Sequence, residues 1–202
     1  MVENEVIKEV GELFIRYGIK SMTMDELSRQ LGISKKTLYQ CCENKKDLVK
    51  KVIEQQIEEE QNCICNMLEE EGNAIDMLMD LTKFVGERMK ELHPSVLFDL
   101  KKYHTQAWNR LNAHKMEFIF RNIKANIEKG IAQDLYRSNM NPEIVAHFYL
   151  SMINTLIDPD FFPGEQYTRA EIHKEMMRYH IRGIASSKGR EYLKAKFNQA
   201  NV

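Results

Sequence analysis

The chain has 202 residues, 43% hydrophobic and 29% charged, with 29 Lys and Arg against 30 Asp and Glu for a formal charge of −1. That length and apolar content suit one ordinary domain, or a small module joined to a larger one, and exclude a wholly disordered or polybasic chain. Nine Gly and four Pro are too few for a strand-rich sandwich or barrel, no apolar run reaches the roughly 18 residues of a membrane span, and MVENEVIKEV is no secretory signal, so the expected location is the cytoplasm, with no membrane partner.

Val6, Val10, Leu13, Phe14 and Tyr17 recur at helical spacing, and Gly18 follows as a stop. Thr23 and Glu26 have the form of a capping box ahead of Met24, Leu27 and Leu31, and Gly32 closes that second helix. Ser34 caps a third, very short helix through Tyr39. Asn44 caps a fourth, carrying Leu48, Val49, Val52, Ile53, Ile57, Ile64, Met67 and Leu68, which nothing breaks before Gly72. Ile75, Leu78, Met79, Leu81, Phe84 and Val85 mark a helix ending near His93–Pro94, and Pro94 opens a short one toward Lys102. Trp108, Leu111, Phe118, Ile119, Ile123 and Ile127 mark one more, ending at Gly130. Pro142 sits as a first helical residue before Ile144, Val145, Phe148, Tyr149, Met152, Ile153 and Leu156. Residues 158–164, with two Pro and one Gly, read as a loop, and a last helix runs from about Thr168 to Ser186. The fold class is all-α.

Charge is unevenly placed. Residues 20–51 hold eight basic and four acidic side chains, whereas residues 54–71 carry seven Glu and no Lys or Arg. An anionic partner is therefore expected for the first part only. Within it, Thr23–Leu31, the Gly32–Ile33 turn and Ser34–Tyr39 match a helix-turn-helix, with Leu27, Leu31, Ile33 and Leu38 as its packing residues. That leaves Ser34, Lys35, Lys36, Thr37, Tyr39 and Gln40 facing outward, donors and cations suited to phosphates and base edges in a major groove.

The segment MTMDELSRQLGISKKTLYQCCENKKDLVKKVI resembles the DNA-binding segment of TetR-type bacterial transcriptional regulators. The features that match are Thr23, Leu27, the Gly32–Ile33–Ser34 turn, Thr37–Leu38–Tyr39, Asn44–Lys45 and Leu48, preceded by Phe14 and Tyr17–Gly18. They span about residues 3–53 and are specific because they occur together. The resemblance implies that Thr23 caps the second helix and touches a phosphate, that Lys35, Lys36 and Thr37 face the major groove, and that Tyr39 and Lys45 contact the DNA backbone. It also implies a three-helix helix-turn-helix DNA-binding head over residues 1–46, and a C-terminal helical bundle over 47–202 that dimerises and binds a small effector. Cys41 and Cys42 depart from the family pattern, which has a backbone-contacting group and a large apolar residue there. Cys42 can serve as a small buried hydrophobe, and Cys41 lies among lysines that would lower its pKa.

In the C-terminal part, Met67, Met79, Phe84, Met89, Tyr103, Trp108, Met116, Phe120, Phe148 and Met152 read first as core and second as the wall of an effector pocket. Phe148, Tyr149, Met152, Met176, Tyr179, His180 and Ile184 are candidates for a symmetric four-helix dimer contact. The spacing of His104 and His114, and of His173 and His180, gives no metal site, and no cofactor is implied. The absence of a Gly-rich phosphate loop, a Gly-x-Ser-x-Gly and a His-Glu-x-x-His excludes the commonest enzyme signatures, so no catalytic residue is assigned. The expected protein is a homodimeric regulator, a repressor of a double-stranded DNA operator released by a small-molecule effector. Two alternatives stay open. One is a thiol- or metal-responsive sensor using Cys41, Cys42, Cys63 and Cys65. The other is a helical interaction module whose degenerate head no longer binds DNA.

Overall fold

Helix α1 (Glu3–Tyr17) buries Val6, Ile7, Val10 and Phe14 and stops where Gly18 turns to a φ of +83°, a left-handed conformation that costs a residue without Cβ nothing. This is seen in a computed structural model that describes residues 3–69, 72–93, 95–157, 161–162 and 166–199. Helix α2 (Met24–Gln30) is capped by the Thr23 hydroxyl, which accepts the Glu26 N–H at 3.1 Å. Only this half of the expected capping box forms, because the Glu26 carboxylate is drawn to Arg29 at 2.5 Å. Helix α3 (Lys35–Cys41) runs two residues past Tyr39, and α4 (Lys45–Glu69) is the long helix expected. The Asn44 carboxamide oxygen caps α4 by accepting the N–H groups of Lys46 and Asp47.

Helix α5 spans Ala74–Glu91 and α6 spans Ser95–Tyr103; the helix-opening role read for Pro94 lies outside the described residues. The single helix expected over Trp108–Gly130 is three pieces: α7 (Thr105–His114), a π-helical turn over Lys115–Ile119, and α8 (Phe120–Ala132). Helix α9 (Pro142–Ile157) starts at its proline. Within the loop read over 158–164, residues 158–160 and 163–164 lie outside the described residues. Helix α10 (Arg169–Ile184) carries a complete capping box between Thr168 and Glu171. The chain then forms a helix that the sequence reading missed, α11 (Ser187–Gln199). No strand occurs among the described residues, and none of their helices is long and apolar enough to cross a membrane.

The chain divides into two compact units. One comprises residues 1–63 and 91–114. Its core joins Phe14, Ile19, Leu27, Leu38, Leu48 and Val52 to Val96 and Leu100 of α6, with Trp108 and Leu111 of α7 partly buried against them. The other comprises residues 64–90 and 115–202. There Ile75 and Leu78 of α5, Ile123 and Ile127 of α8, Tyr149 of α9 and Met177 and Ile181 of α10 form the core. Helix α11 joins this second unit through the buried Leu193 and through polar contacts: Tyr192 donates to Asp76 at 2.7 Å, and Lys196 pairs with the same carboxylate. Those partners hold the Asp76 carboxyl below its usual range despite partial burial.

Candidate nucleic-acid interface

The helix-turn-helix follows from a few packing and backbone choices. Leu27 and Leu38 are fully buried and lock α2 to α3, with Leu31 and Ile33 partly buried beside them. The turn between the helices needs Gly32, whose φ is +64°, and it is closed by the Ile33 N–H donating to the Ser28 carbonyl at 3.0 Å. The Ser34 hydroxyl then caps α3 by accepting the Thr37 N–H at 3.0 Å. With Leu38 committed inward, the outer face of α3 carries Ser34, Lys35, Lys36, Tyr39 and Gln40, all exposed, and a half-buried Thr37. Tyr39 is 45% exposed.

Several of these groups are already engaged. The Lys35 ammonium lies 2.7 Å from Asp25 of α2, and that carboxylate raises its pKa. The hydroxyls of Ser34 and Thr37 share a hydrogen bond of 2.8 Å. Thr23 is exposed at the start of α2. Lys45 is placed differently: its Nζ donates to the Ile19 carbonyl at 2.6 Å, and burial lowers its pKa. Lys51 likewise turns inward, donating to the Cys41 carbonyl at 2.7 Å and to Glu3 at 2.9 Å. Sequence reasoning gave neither lysine a partner within the fold, since a side chain's nearest carbonyl is a tertiary fact.

A family model for the helix-turn-helix domain of the M protein trans-acting positive regulator (MGA) matches residues 17–61, which contain α2 and α3 and the first part of α4. An HTH-type transcriptional regulator of Bacillus subtilis (strain 168), YvaF, whose own function is uncharacterised, is 30% identical over 187 residues, 92% of this chain and 96% of the relative. The chain belongs to the HTH-type transcriptional regulators. The regulator's fold is that of the TetR family. A TetR-family regulator from Agrobacterium tumefaciens superposes with a TM-score of 0.73 at 16% identity, over 91% of this chain and 98% of the other. The regulator FadR from Bacillus subtilis, in complex with stearoyl-CoA, gives 0.65 at 12% identity, over 89% and 98%. At such identities the likeness speaks to architecture alone.

The ten pocket candidates of the regulator do not converge on one cavity. Met67 lines a small cavity of about 30 Å³ with Met77, Leu81 and Asn122. Met79 and Phe120 pack against the core of the second unit, and Phe84 and Met89 are half-buried, with the Arg88 guanidinium over the Phe84 ring. Tyr103 and Trp108 belong to the first unit, Tyr103 being exposed. Met116 is exposed, while Phe148 and Met152 line an open groove of about 850 Å³ along α9 and α10.

That groove gathers six of the seven dimer candidates: Phe148, Met152, Met176, Tyr179, His180 and Ile184. Its outer edge is exposed, with Phe148 at 63% and Tyr179 at 78%. Its floor is not: His180 and Ile184 are buried, and the seventh candidate, Tyr149, is buried outside the groove lining, its ring meeting that of His180 edge-on with centroids 5.2 Å apart. Burial pushes the His180 imidazole down to about 4.

All four cysteines of the regulator are free thiols. The expectation that lysines lower the Cys41 pKa is corrected: burial pushes the thiol up, and Cys42 goes up to about 11. The Glu3 carboxylate adds to this upward shift, and the Lys51 ammonium, paired with Glu3, opposes it by less. Among the described residues no three His, Cys, Asp or Glu side chains are grouped to hold a metal.

Proposed function

We propose that this regulator is a homodimeric repressor whose two heads, each within residues 1–46, read a palindromic operator, while residues 47–202 dimerise and bind a small effector. The observation that carries the reading is the sidedness of α3. Leu38 is fully buried, and the opposite face presents Ser34, Lys35, Lys36, Tyr39 and Gln40 to solvent. A seven-residue helix capped at its N-terminus by Ser34 is short enough to lie in a major groove, with Thr23 at the start of α2 set for a phosphate. The groove along α9 and α10 supports a symmetric pairing, because aromatic edges as exposed as Phe148 and Tyr179 are covered at little cost by their own copies. Half-sites would then be spaced about 34–36 Å apart or a small multiple of that. An effector releases the operator only to the extent that it prefers the conformation that binds DNA poorly. The complex of FadR, a protein of similar fold, with stearoyl-CoA supports an effector for this regulator.

Operator selection from random duplexes tests the reading directly. The expected product is a palindrome bound by the wild type. Lys36→Ala should lower the slope of log affinity against log salt by about 0.9, the signature of one lost phosphate contact. Phe148→Asp should give a monomer by light scattering and half-site binding only. Failure of the wild type to enrich any sequence overturns the reading in favour of a non-binding interaction module.

A further inference from the structure

The carbonyl of Ile19 and the N–H of Lys20 are the two ends of one planar amide. The carbonyl accepts from the Lys45 ammonium at 2.6 Å, and the N–H donates to the Asp99 carboxylate at 2.9 Å. A cation thus sits at the oxygen end of the amide and an anion at its hydrogen end, the arrangement that the amide dipole favours and that strengthens both bonds together. The peptide lies at the edge of the core: Ile19 is 2% exposed and Asp99 3%, while Lys20 is exposed. Lys45 is the first residue of α4, Ile19 lies just before Thr23, and Asp99 belongs to α6. The two ends of the helix-turn-helix segment are therefore tied to each other through one peptide, which is in turn tied to α6.

We propose that Lys45 and Asp99 are a positioning pair that sets the presentation of the recognition helix by gripping the Ile19–Lys20 peptide from both ends. This replaces the phosphate contact that the family resemblance implies for Lys45, and it rests on the DNA-binding reading above. Among the described residues no other hydrogen bond reaches either end of this peptide. Ser95 supports Asp99 from 3.4 Å and is itself engaged with His93, whose backbone N–H donates to the Ile15 carbonyl. With the grip released, the turn that carries the α2 cap loses its fixed point, and α3 moves with α2 because Leu27 and Leu38 hold them together.

The test uses the full-length protein with Lys45→Met, Asp99→Asn and Lys45→Arg. In amide NMR spectra the Lys20 signal should move upfield in Asp99→Asn. It should also move upfield in Lys45→Met, although the Lys45 side chain does not touch that N–H. Affinity for the selected operator should fall about tenfold in each of these two variants at every salt concentration, the scale of one charge-assisted bond. The salt slope should not change. Lys45→Arg, which keeps the cation, should stay within about threefold of wild type. If Lys45→Met lowers the salt slope by about 0.9, Lys45 meets a phosphate and the proposal is overturned. An unmoved Lys20 signal in Lys45→Met, or unchanged affinity in both neutral variants, overturns it too. Should Lys45→Met fail to fold, Asp99→Asn and Lys45→Arg carry the same comparison. A wild type that selects no duplex fails at the first step, which refutes the DNA-binding reading and this role with it, and is distinct from a wild type that binds while the variants match it.

Discussion

Gly18→Ala perturbs the same turn without touching a charge. Gly18 has a φ of +83°, and a Cβ built there would lie 2.5 Å from the Ser95 hydroxyl and 3.3 Å from His93 Nδ1. Holding alanine in the left-handed region costs roughly 1–2 kcal/mol. To make room, the Ser95 hydroxyl must rotate and abandon its contacts with His93 Nδ1 at 3.0 Å and Asp99 at 3.4 Å. Those contacts add about 1 kcal/mol. The sum is roughly 2–3 kcal/mol, which for a chain of this length lowers Tm by roughly 5–10 °C. Urea titrations of Gly18→Ala in the wild-type and Ser95→Ala backgrounds separate the two contributions. In the Ser95→Ala background the penalty should shrink by about 1 kcal/mol and no further, since the backbone strain remains. A penalty below about 0.5 kcal/mol in the wild type, or equal penalties in both backgrounds, would refute this account of why a glycine ends α1.

Other outcomes follow from buried polar groups and thiols. Tyr136→Phe removes a hydroxyl, 3.0 Å from the Ala74 carbonyl and 3.1 Å from Asn126 Oδ1, and should cost about 1–2 kcal/mol in urea unfolding. The His180 imidazole sits at about 4 in the fold against about 6.5 when unfolded, so the unfolded chain takes up its proton first. The neutral ring therefore supports the fold fully above about pH 6.5 and loses that support as pH falls toward 4, about 2 kcal/mol of it by pH 5. His180→Leu should flatten that part of the stability profile between pH 7 and 5. Cys65 is exposed while Cys41 and Cys42 are buried with raised pKa values. A disulfide reagent at neutral pH should show a fast phase that Cys65→Ser abolishes, with Cys41 and Cys42 reacting only in denaturant.

The head was legible because its signals are local. Thr23, Ser34 and Asn44 cap their own helices, and Gly18 and Gly32 mark the two turns that require a left-handed residue. Helix α11 was not, because its anchors lie far off in sequence: Leu193 packs into the core of the second unit, Tyr192 and Lys196 reach Asp76, and Lys188 reaches the Gln133 carbonyl. The π-helical turn left a fainter trace. Buried residues fall at 107, 114, 115, 118, 123, 126, 127 and 130, and the five-residue step from Phe118 to Ile123 breaks an otherwise helical rhythm. The dimer candidates on α9 and α10 were read from their apolar pattern and the family resemblance, but the split between exposed Phe148 and Tyr179 and buried Tyr149 and His180 needed the packing of the two helices. The roles of Lys45 and Lys51 needed it too, since a lysine that serves a carbonyl reads in sequence like one that faces solvent.

Asp25 makes the molecule its own rival for Lys35. A duplex has to evict that carboxylate before the ammonium can serve a phosphate. The cost is small for so exposed a pair, and it falls equally on every sequence. Because each sequence meets the same cost, the acidic neighbour lowers affinity for all duplexes by one factor and leaves the preference of one over another unchanged.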